Sequence, residues 1–135
     1  MKLLLSSNSS LQGEPYLHFC KEKITTFLAK NGAKQIVFIP FAAVTFSYNE
    51  YESKVIKGLD NKNIQITSIH HFEDQQKAII EAEAIMVGGG NSFQLLNEIY
   101  QNDLLEIIKK RVKDGIPYVG WSAGSNLACP TIKTT

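Results

Sequence analysis

Short aliphatic or β-branched runs alternate along the chain with longer amphipathic stretches. The short runs have the length of strands, and the stretches between them carry apolar residues at helical spacing. This alternation predicts an α/β fold, with a mostly parallel sheet and helices on both of its faces. The predicted strands are 2–6, 36–39, 64–69, 84–87 and 117–121, and the predicted helices are 15–30, 48–59, 74–83, one that opens at Ser92, and 104–112.

Two of the strands differ in how their apolar residues are arranged. Residues 84–87 are almost wholly apolar, which is typical of a central strand buried on both faces. Residues 64–69 alternate apolar with polar side chains, which favours an edge strand. The helix that opens at Ser92 is predicted to bury one apolar face, formed by Phe93, Leu95, Leu96 and Ile99.

Composition narrows the class of protein. The 135 residues are 44% hydrophobic and 20% charged, a balance that allows a core without a metal or disulfide. We expect residues 1–135 to form a single α/β domain. The net charge is +1, and the longest basic run, 109–111, is expected to be a solvated helix end, so no nucleic-acid partner is expected.

Cysteines and the amino terminus exclude further classes. Cys20 and Cys129 are far apart and lack a CxxC partner, so they predict buried thiols and neither a disulfide framework nor a zinc site. The apolar run 3–5 leads directly into polar residues and is too short for a signal peptide or a membrane span. A cytoplasmic protein with no membrane partner is the resulting expectation.

The strongest chemical signal is the run Gly120-Trp121-Ser122-Ala123-Gly124, which follows the last predicted strand. A serine becomes a nucleophile when a sharp strand-to-helix turn projects its hydroxyl toward a base, and small residues on either side let the chain turn. The pattern therefore predicts a nucleophile elbow at Ser122. The alternative is a serine that only caps the helix after it.

A second motif, 88–91, is a glycine run that ends the central strand. Its backbone N–H groups are expected at the same carboxyl edge of the sheet as Ser122. The amides of Gly90 and Ala123 would then form an oxyanion hole. A phosphate-binding turn is less favoured, because the run is not GxGxxG and has no Walker lysine. A simple tight turn, with Asn91 or Ser92 capping the next helix, is the remaining alternative.

The sequence offers no evident general base for Ser122. His18, His70 and His71 all precede Ser122, whereas the histidine follows the serine in the common α/β-hydrolase order. His70 and His71 are neighbours at a predicted strand end, so their side chains are expected on opposite faces, and no metal site is expected. The acidic residues that we considered as catalytic partners are expected to lie on a solvated helix face: Asp74, Glu81 and Glu83.

Four stretches of the chain resemble the peptidase E family, the aspartyl dipeptidases whose fold is similar to class I glutamine amidotransferases. They occur in the family's order and spacing, and the resemblance runs from Met1 to Thr135. Ser125 departs from the family, which commonly has alanine there. The matching stretches are Leu3-Leu4-Leu5-Ser6-Ser7-Asn8-Ser9, Phe38-Ile39-Pro40-Phe41-Ala42, 87–96 and 120–124, and the tail 126–132 continues the pattern.

The resemblance implies a function for each motif. Ser122 would be the acylating nucleophile, the amides of Gly90 and Ala123 the oxyanion donors, and Gly89 and Asn91 substrate-binding residues. Substrates would be dipeptides that begin with aspartate, and no cofactor or metal is implied. A cyanophycinase-like hydrolase of β-aspartyl peptides, or a non-catalytic fragment or binding module, remains open.

The chain ends thirteen residues after Ser122, which is early for a doubly wound sheet. In the family, the histidine, the supporting acid and the basic group that reads the aspartate lie beyond that point. We therefore expect an incomplete carboxyl-terminal part, exposed apolar surface, self-association, and little turnover by these 135 residues alone.

Overall fold

The computed structural model describes residues 1–6, 17 and 20–128, which form strands and helices in alternation. The predicted α/β fold is confirmed. The strands are β1 (Lys2–Ser6), β2 (Gln35–Ile39), β3 (Gln65–Ser68), β4 (Ala84–Val87) and β5 (Pro117–Trp121). The helices are α1 (Lys21–Lys30), α2 (Tyr48–Leu59), α3 (Gln75–Glu81), α4 (Ser92–Gln101), α5 (Leu105–Lys113) and α6 (Ala123–Leu127), with a 3-10 turn at Ile69–His71 after β3.

The strands form one parallel sheet in the order β1-β5-β4-β2-β3. The wholly apolar β4 is central and the alternating β3 lies at an edge, as predicted. Val87 pairs with Ile39 on one side and with Gly120 on the other, so the carboxyl ends of β2, β4 and β5 are level. From β2 the chain moves outward to β3 and then returns to form β4 on the other side of β2. The strand order therefore switches between β2 and β4, and crevices at such switch points are common ligand sites.

Helices cover both faces of the sheet. Alternate residues of β2 face opposite sides, since Phe38 belongs to the core shared with α1 and α2 whereas Val37 belongs to the core shared with helices α3 to α6. Both groups of side chains are almost completely buried. A parallel sheet needs such cover because its strands carry apolar side chains on both faces, and these side chains must be shielded from water.

The predicted apolar face of α4 is wrong at one position. Leu95 and Ile99 are buried, but the Phe93 side chain is 88% exposed. Phe93 precedes Leu95 by two residues, a rotation of about 200° around the helix, so the two cannot share a face. Phe93 instead shares the outer face with Tyr100, which follows it by seven residues and is also exposed.

Several expectations concern the ends of the chain. Of the helix expected over 15–30, the described part is α1, and Cys20 before it is buried as predicted. His18, Cys129 and the tail from 129 onward lie outside the described residues, so the expected carboxyl-terminal incompleteness stays a prediction. No described helix has both the length and the apolar character needed to cross a membrane.

The basic run at the end of α5 is only partly solvated. Arg111 is half-buried, and its guanidinium donates to the carbonyl oxygens of Ile79 (3.3 Å) and Ala82 (2.8 Å). These carbonyls lie at the carboxyl end of α3, where helix carbonyls lack intrahelical partners. Arg111 therefore joins α5 to α3, which the expectation of a solvated helix end missed.

Candidate active site

Ser122 lies in the tight turn between β5 and α6. Its backbone has φ 55° and ψ −115°, a left-handed conformation that is rare for residues other than glycine. The Ser122 amide donates to the carbonyl of Ser6 at the end of β1 (2.8 Å). A Cβ atom at position 120 would lie 2.7 Å from the carbonyl oxygen of Gly124. The glycine at 120 therefore lets the turn fold back on itself, as expected of a nucleophile elbow.

The Ser122 side chain is half-buried and occupies the position that precedes the first turn of α6. It makes no capping hydrogen bond to the helix. A serine retained as a helix cap would accept a bond from an amide one turn further on. The structure therefore excludes the capping alternative for the Ser122 side chain.

The glycine run after β4 lies directly against this serine. A Cβ atom at Gly89 would be 2.6 Å from Cβ and 3.1 Å from Oγ of Ser122. Gly90 has φ 140°, and a Cβ atom there would collide with the carbonyl of Ala42 in the loop after β2. The two motifs that sequence analysis singled out are therefore brought together at the carboxyl edge of the sheet.

The backbone amides of this region fall into two groups. The amides of Gly90 and Ala123 donate to no acceptor among the described residues. The Asn91 amide donates to the Ala42 carbonyl (2.9 Å), and its side-chain oxygen accepts from the Gln94 amide (3.0 Å), so that Asn91 caps α4. The assignment of Gly90 and Ala123 to an oxyanion hole, and of Gly89 and Asn91 to substrate binding, stays a prediction.

A cleft of about 330 Å³ opens beside the elbow. Its walls come from the loop after β2, from α2, from the glycine run and from Ser122. The ammonium of Lys54 lies 4.9 Å from the centroid of the Phe46 ring on one wall. No sequence motif indicated this wall. The signal that could have found it is the position of the loop, which follows a strand whose carboxyl end meets the same edge of the sheet.

Tyr51, which no sequence motif indicated, lies on the buried side of the site and connects the glycine run with the elbow. Its side chain is 1% exposed and its hydroxyl donates to the Gly89 carbonyl (3.0 Å). The indole Nε1 of Trp121 donates to the same hydroxyl (3.2 Å). Tyr51 therefore contacts both the glycine run and the residue that precedes Ser122.

The expectation that His70 and His71 point to opposite faces is wrong. Both belong to the 3-10 turn after β3 rather than to a strand, and successive side chains of such a turn are about 120° apart. Their rings lie 4.1 Å apart between centroids. No group of three or more metal-ligating side chains occurs within the described part of the chain.

Neither of these histidines approaches Ser122. The His70 ring contacts the Ser68 hydroxyl through Nδ1 and Asn49 through Nε2 (2.8 Å), and His71 bonds to Glu52 (3.0 Å). Burial lowers the pKa of His70, aided by the neighbouring His71 and opposed by Glu52. Because β3 is three strands from β5, the histidines lie about 14 Å across the sheet from the elbow.

The acidic residues near α3 have structural partners. Asp74 caps this helix by accepting from the Lys77 amide (3.0 Å). Glu83 accepts from the amides of Lys34 and Gln35 (2.8 Å each), which lowers the pKa of its carboxyl group. These bonds give Asp74 and Glu83 structural roles, so neither carboxylate needs a catalytic role to explain it.

Comparison with known proteins gives one family. The profile described as Peptidase family S51 matches residues 3–135. A peptidase E from a Nostoc species is 47% identical over 134 residues, which cover 99% of this chain and 55% of that protein. A peptidase E from Salmonella paratyphi A is 50% identical over 135 residues, which cover all of this chain and 58% of the relative. The chain thus spans slightly more than half the length of these curated relatives.

Solved structures support the fold. A putative peptidase E protein from Listeria monocytogenes superposes with a TM-score of 0.67 at 23% identity, over 93% of this chain and 60% of that one. A peptidase from an Actinobacterium gives 0.66 at 20% identity, over 93% and 55%. At these identities the likeness concerns the fold alone. The match of the family profile over residues 3–135 and the identity to two peptidase E sequences together show that this chain belongs to peptidase family S51.

Proposed function

We propose that this chain is the nucleophile-bearing part of a serine peptidase that hydrolyses dipeptides with an N-terminal aspartate. The observation that carries the proposal is the Ser122 hydroxyl, which a strained turn presents beside a cleft and which caps no helix. A left-handed serine costs about 1–3 kcal/mol, and such strain persists where surrounding structure holds it, commonly at functional sites.

The proposed reaction proceeds through an acyl-enzyme. Ser122 Oγ attacks the carbonyl carbon of the aspartyl residue, and its proton passes to a histidine, which the peptidase E resemblance puts beyond Thr135. The oxygen of the tetrahedral intermediate accepts from the amides of Gly90 and Ala123, whose N–H groups have no acceptor among the described residues. The leaving amine takes the proton from the histidine, and water then releases the aspartate.

The cleft supports an acidic substrate. Lys54 contributes a cation to its wall, so a carboxylate of an aspartyl peptide would meet a favourable charge there. Gly89 lines the same cleft and Asn91 ends the glycine run beside it, and both are proposed to contact the peptide. We also propose that residues 1–135 form a single α/β domain and that the protein is cytoplasmic.

The test compares aspartyl dipeptides in the natural protein that carries this chain. We expect hydrolysis of α-aspartyl dipeptides, loss of at least about 10³-fold in kcat for Ser122→Ala, and little turnover by residues 1–135 alone. Preference for β-aspartyl dipeptides would favour the cyanophycinase-like alternative. Full activity of Ser122→Ala would refute the proposed nucleophile, and absence of any hydrolysis would favour a binding module.

A further inference from the structure

We propose that Tyr51 is the positioning residue of the oxyanion hole, and that its hydroxyl fixes the direction of the Gly90 amide. This inference rests on the proposed function, because it assigns Tyr51 a role in that site. Tyr51 belongs to α2, and its hydroxyl bonds to the Gly89 carbonyl. It would act through the glycine run.

The geometry of one peptide unit carries the argument. The carbonyl of Gly89 and the N–H of Gly90 belong to the same planar trans peptide and point in opposite directions. The Tyr51 hydroxyl donates to this carbonyl at 3.0 Å. Holding the carbonyl on the buried side therefore turns the Gly90 N–H to the other side, away from Tyr51.

The next peptide unit is held as well. The Asn91 amide donates to the Ala42 carbonyl at 2.9 Å, so both units that flank Gly90 have a fixed orientation. A glycine at φ 140° has wide conformational freedom and would otherwise allow these units to rotate. A donor that is fixed before the reaction stabilises the oxyanion without reorganisation, which is the main source of its effect.

Tyr51 also couples the glycine run to the elbow. Its hydroxyl accepts from the indole of Trp121, the residue before Ser122, at 3.2 Å. The Tyr51 ring is held edge-on by Phe38 (4.9 Å between centroids) and Phe46 (5.1 Å). One buried hydroxyl thus links the loop that holds one proposed oxyanion donor to the turn that holds the nucleophile.

The experiment is Tyr51→Phe in the natural protein, which keeps the ring and removes the hydroxyl. We expect kcat to fall about 10- to 100-fold with KM within about 3-fold, less than the loss of a whole oxyanion donor, because the Gly90 amide remains but is no longer fixed. The control Tyr100→Phe alters an exposed hydroxyl on α4 and should change neither constant. A second control is Ile99→Val, which removes a methyl group from the buried core on the opposite face of the sheet from Tyr51. It shows how much kcat changes when only the stability of the fold is reduced.

A spectroscopic measurement separates this inference from the proposed function. In protein labelled with 15N-glycine, the Gly90 amide signal should shift or broaden in Tyr51→Phe and stay unchanged in both controls. Unchanged kcat together with an unchanged Gly90 signal would overturn the role of Tyr51 while leaving Ser122 as the nucleophile. If the natural protein hydrolyses nothing, the proposed function fails, and an unchanged Gly90 signal would still refute the Tyr51 link.

Discussion

Two serines at the carboxyl edge of the sheet have opposite environments. Ser68 ends β3, is completely buried, and contacts the ring of His70 through its hydroxyl. Its amide donates to Glu52 at 2.6 Å. Ser122 follows β5, has a strained backbone and faces a cleft.

The difference distinguishes a buried serine–histidine contact at Ser68 from the proposed nucleophile at Ser122. A carbonyl group cannot reach a hydroxyl that is fully buried, whatever base lies beside it, so Ser68 has a partner without access. Ser122 has access and an adjacent glycine run, and its base would come from elsewhere. Exposure and backbone geometry therefore favour Ser122 as the proposed nucleophile, although Ser68 is the serine that contacts a histidine.

Among variants that keep Ser122, the largest expected effect comes from filling the space between Gly89 and the Ser122 side chain. In Gly89→Ala the new methyl group would lie 2.6 Å from Ser122 Cβ and displace the hydroxyl. We expect kcat for an aspartyl dipeptide to fall about 100-fold or more, as misplacement by about 1 Å can do. The control Gly58→Ala lies within α2 and should keep its activity. Normal activity of a folded Gly89→Ala variant would contradict the packing of the two motifs.

The next effect concerns Ser68 and separates stability from activity. Ser68→Ala removes a buried hydroxyl and leaves the Nδ1 atom of His70 without that partner, so the free energy of unfolding should fall by about 1–3 kcal/mol. We expect kcat to stay within about 3-fold of the wild type at a temperature where both are folded, as urea unfolding and initial rates would show. A larger fall in kcat would mean that Ser68 and His70 take part in the reaction.

A smaller effect is expected from the charge on the cleft wall. Lys54→Gln should raise KM for an aspartyl dipeptide by about 2- to 5-fold with little change in kcat, the size expected of an exposed charge pair. Lys57→Gln, one turn further along α2 and outside the cleft, is the matched control. Equal KM values for both variants and the wild type would show that Lys54 does not contact the substrate.

The smallest effect is a pH dependence of stability at His70, whose ring contacts Ser68. The pKa of His70 is lowered from 6.5 in the folded state, so the unfolded chain binds its proton more readily. The free energy of unfolding should therefore decline as pH falls below about 6.5. Glu52 and His71 face the same ring, so His70→Asn should weaken the decline without abolishing every contribution. An equal decline in both proteins, measured by urea unfolding at several pH values, would assign it to other groups.

Much of the fold follows from the chain's local pattern. The bounds predicted for β1, β4 and β5 agree with the structure, as does the prediction that the glycine run and the elbow share one edge. Periodicity identifies strands, and parallel strands bring their carboxyl ends together. Strand order leaves no comparable local pattern in the sequence and was therefore not predicted.

The remaining features depend on contacts between distant residues. Tyr51 is 38 positions from Gly89 and 70 from Trp121, so no short motif connects them. His70 and His71 were misjudged because the chain turns after Ser68 instead of continuing as a strand. In each case tertiary packing decided what the local pattern left open.

The most direct test of the central claim is the location of a covalent adduct. The natural protein that carries this chain would be treated with a fluorophosphonate, which modifies activated serines, and digested for peptide mass spectrometry. We predict one adduct on Ser122 and none on Ser68. An unmodified Ser122, or an adduct on Ser68 in its place, would contradict the account.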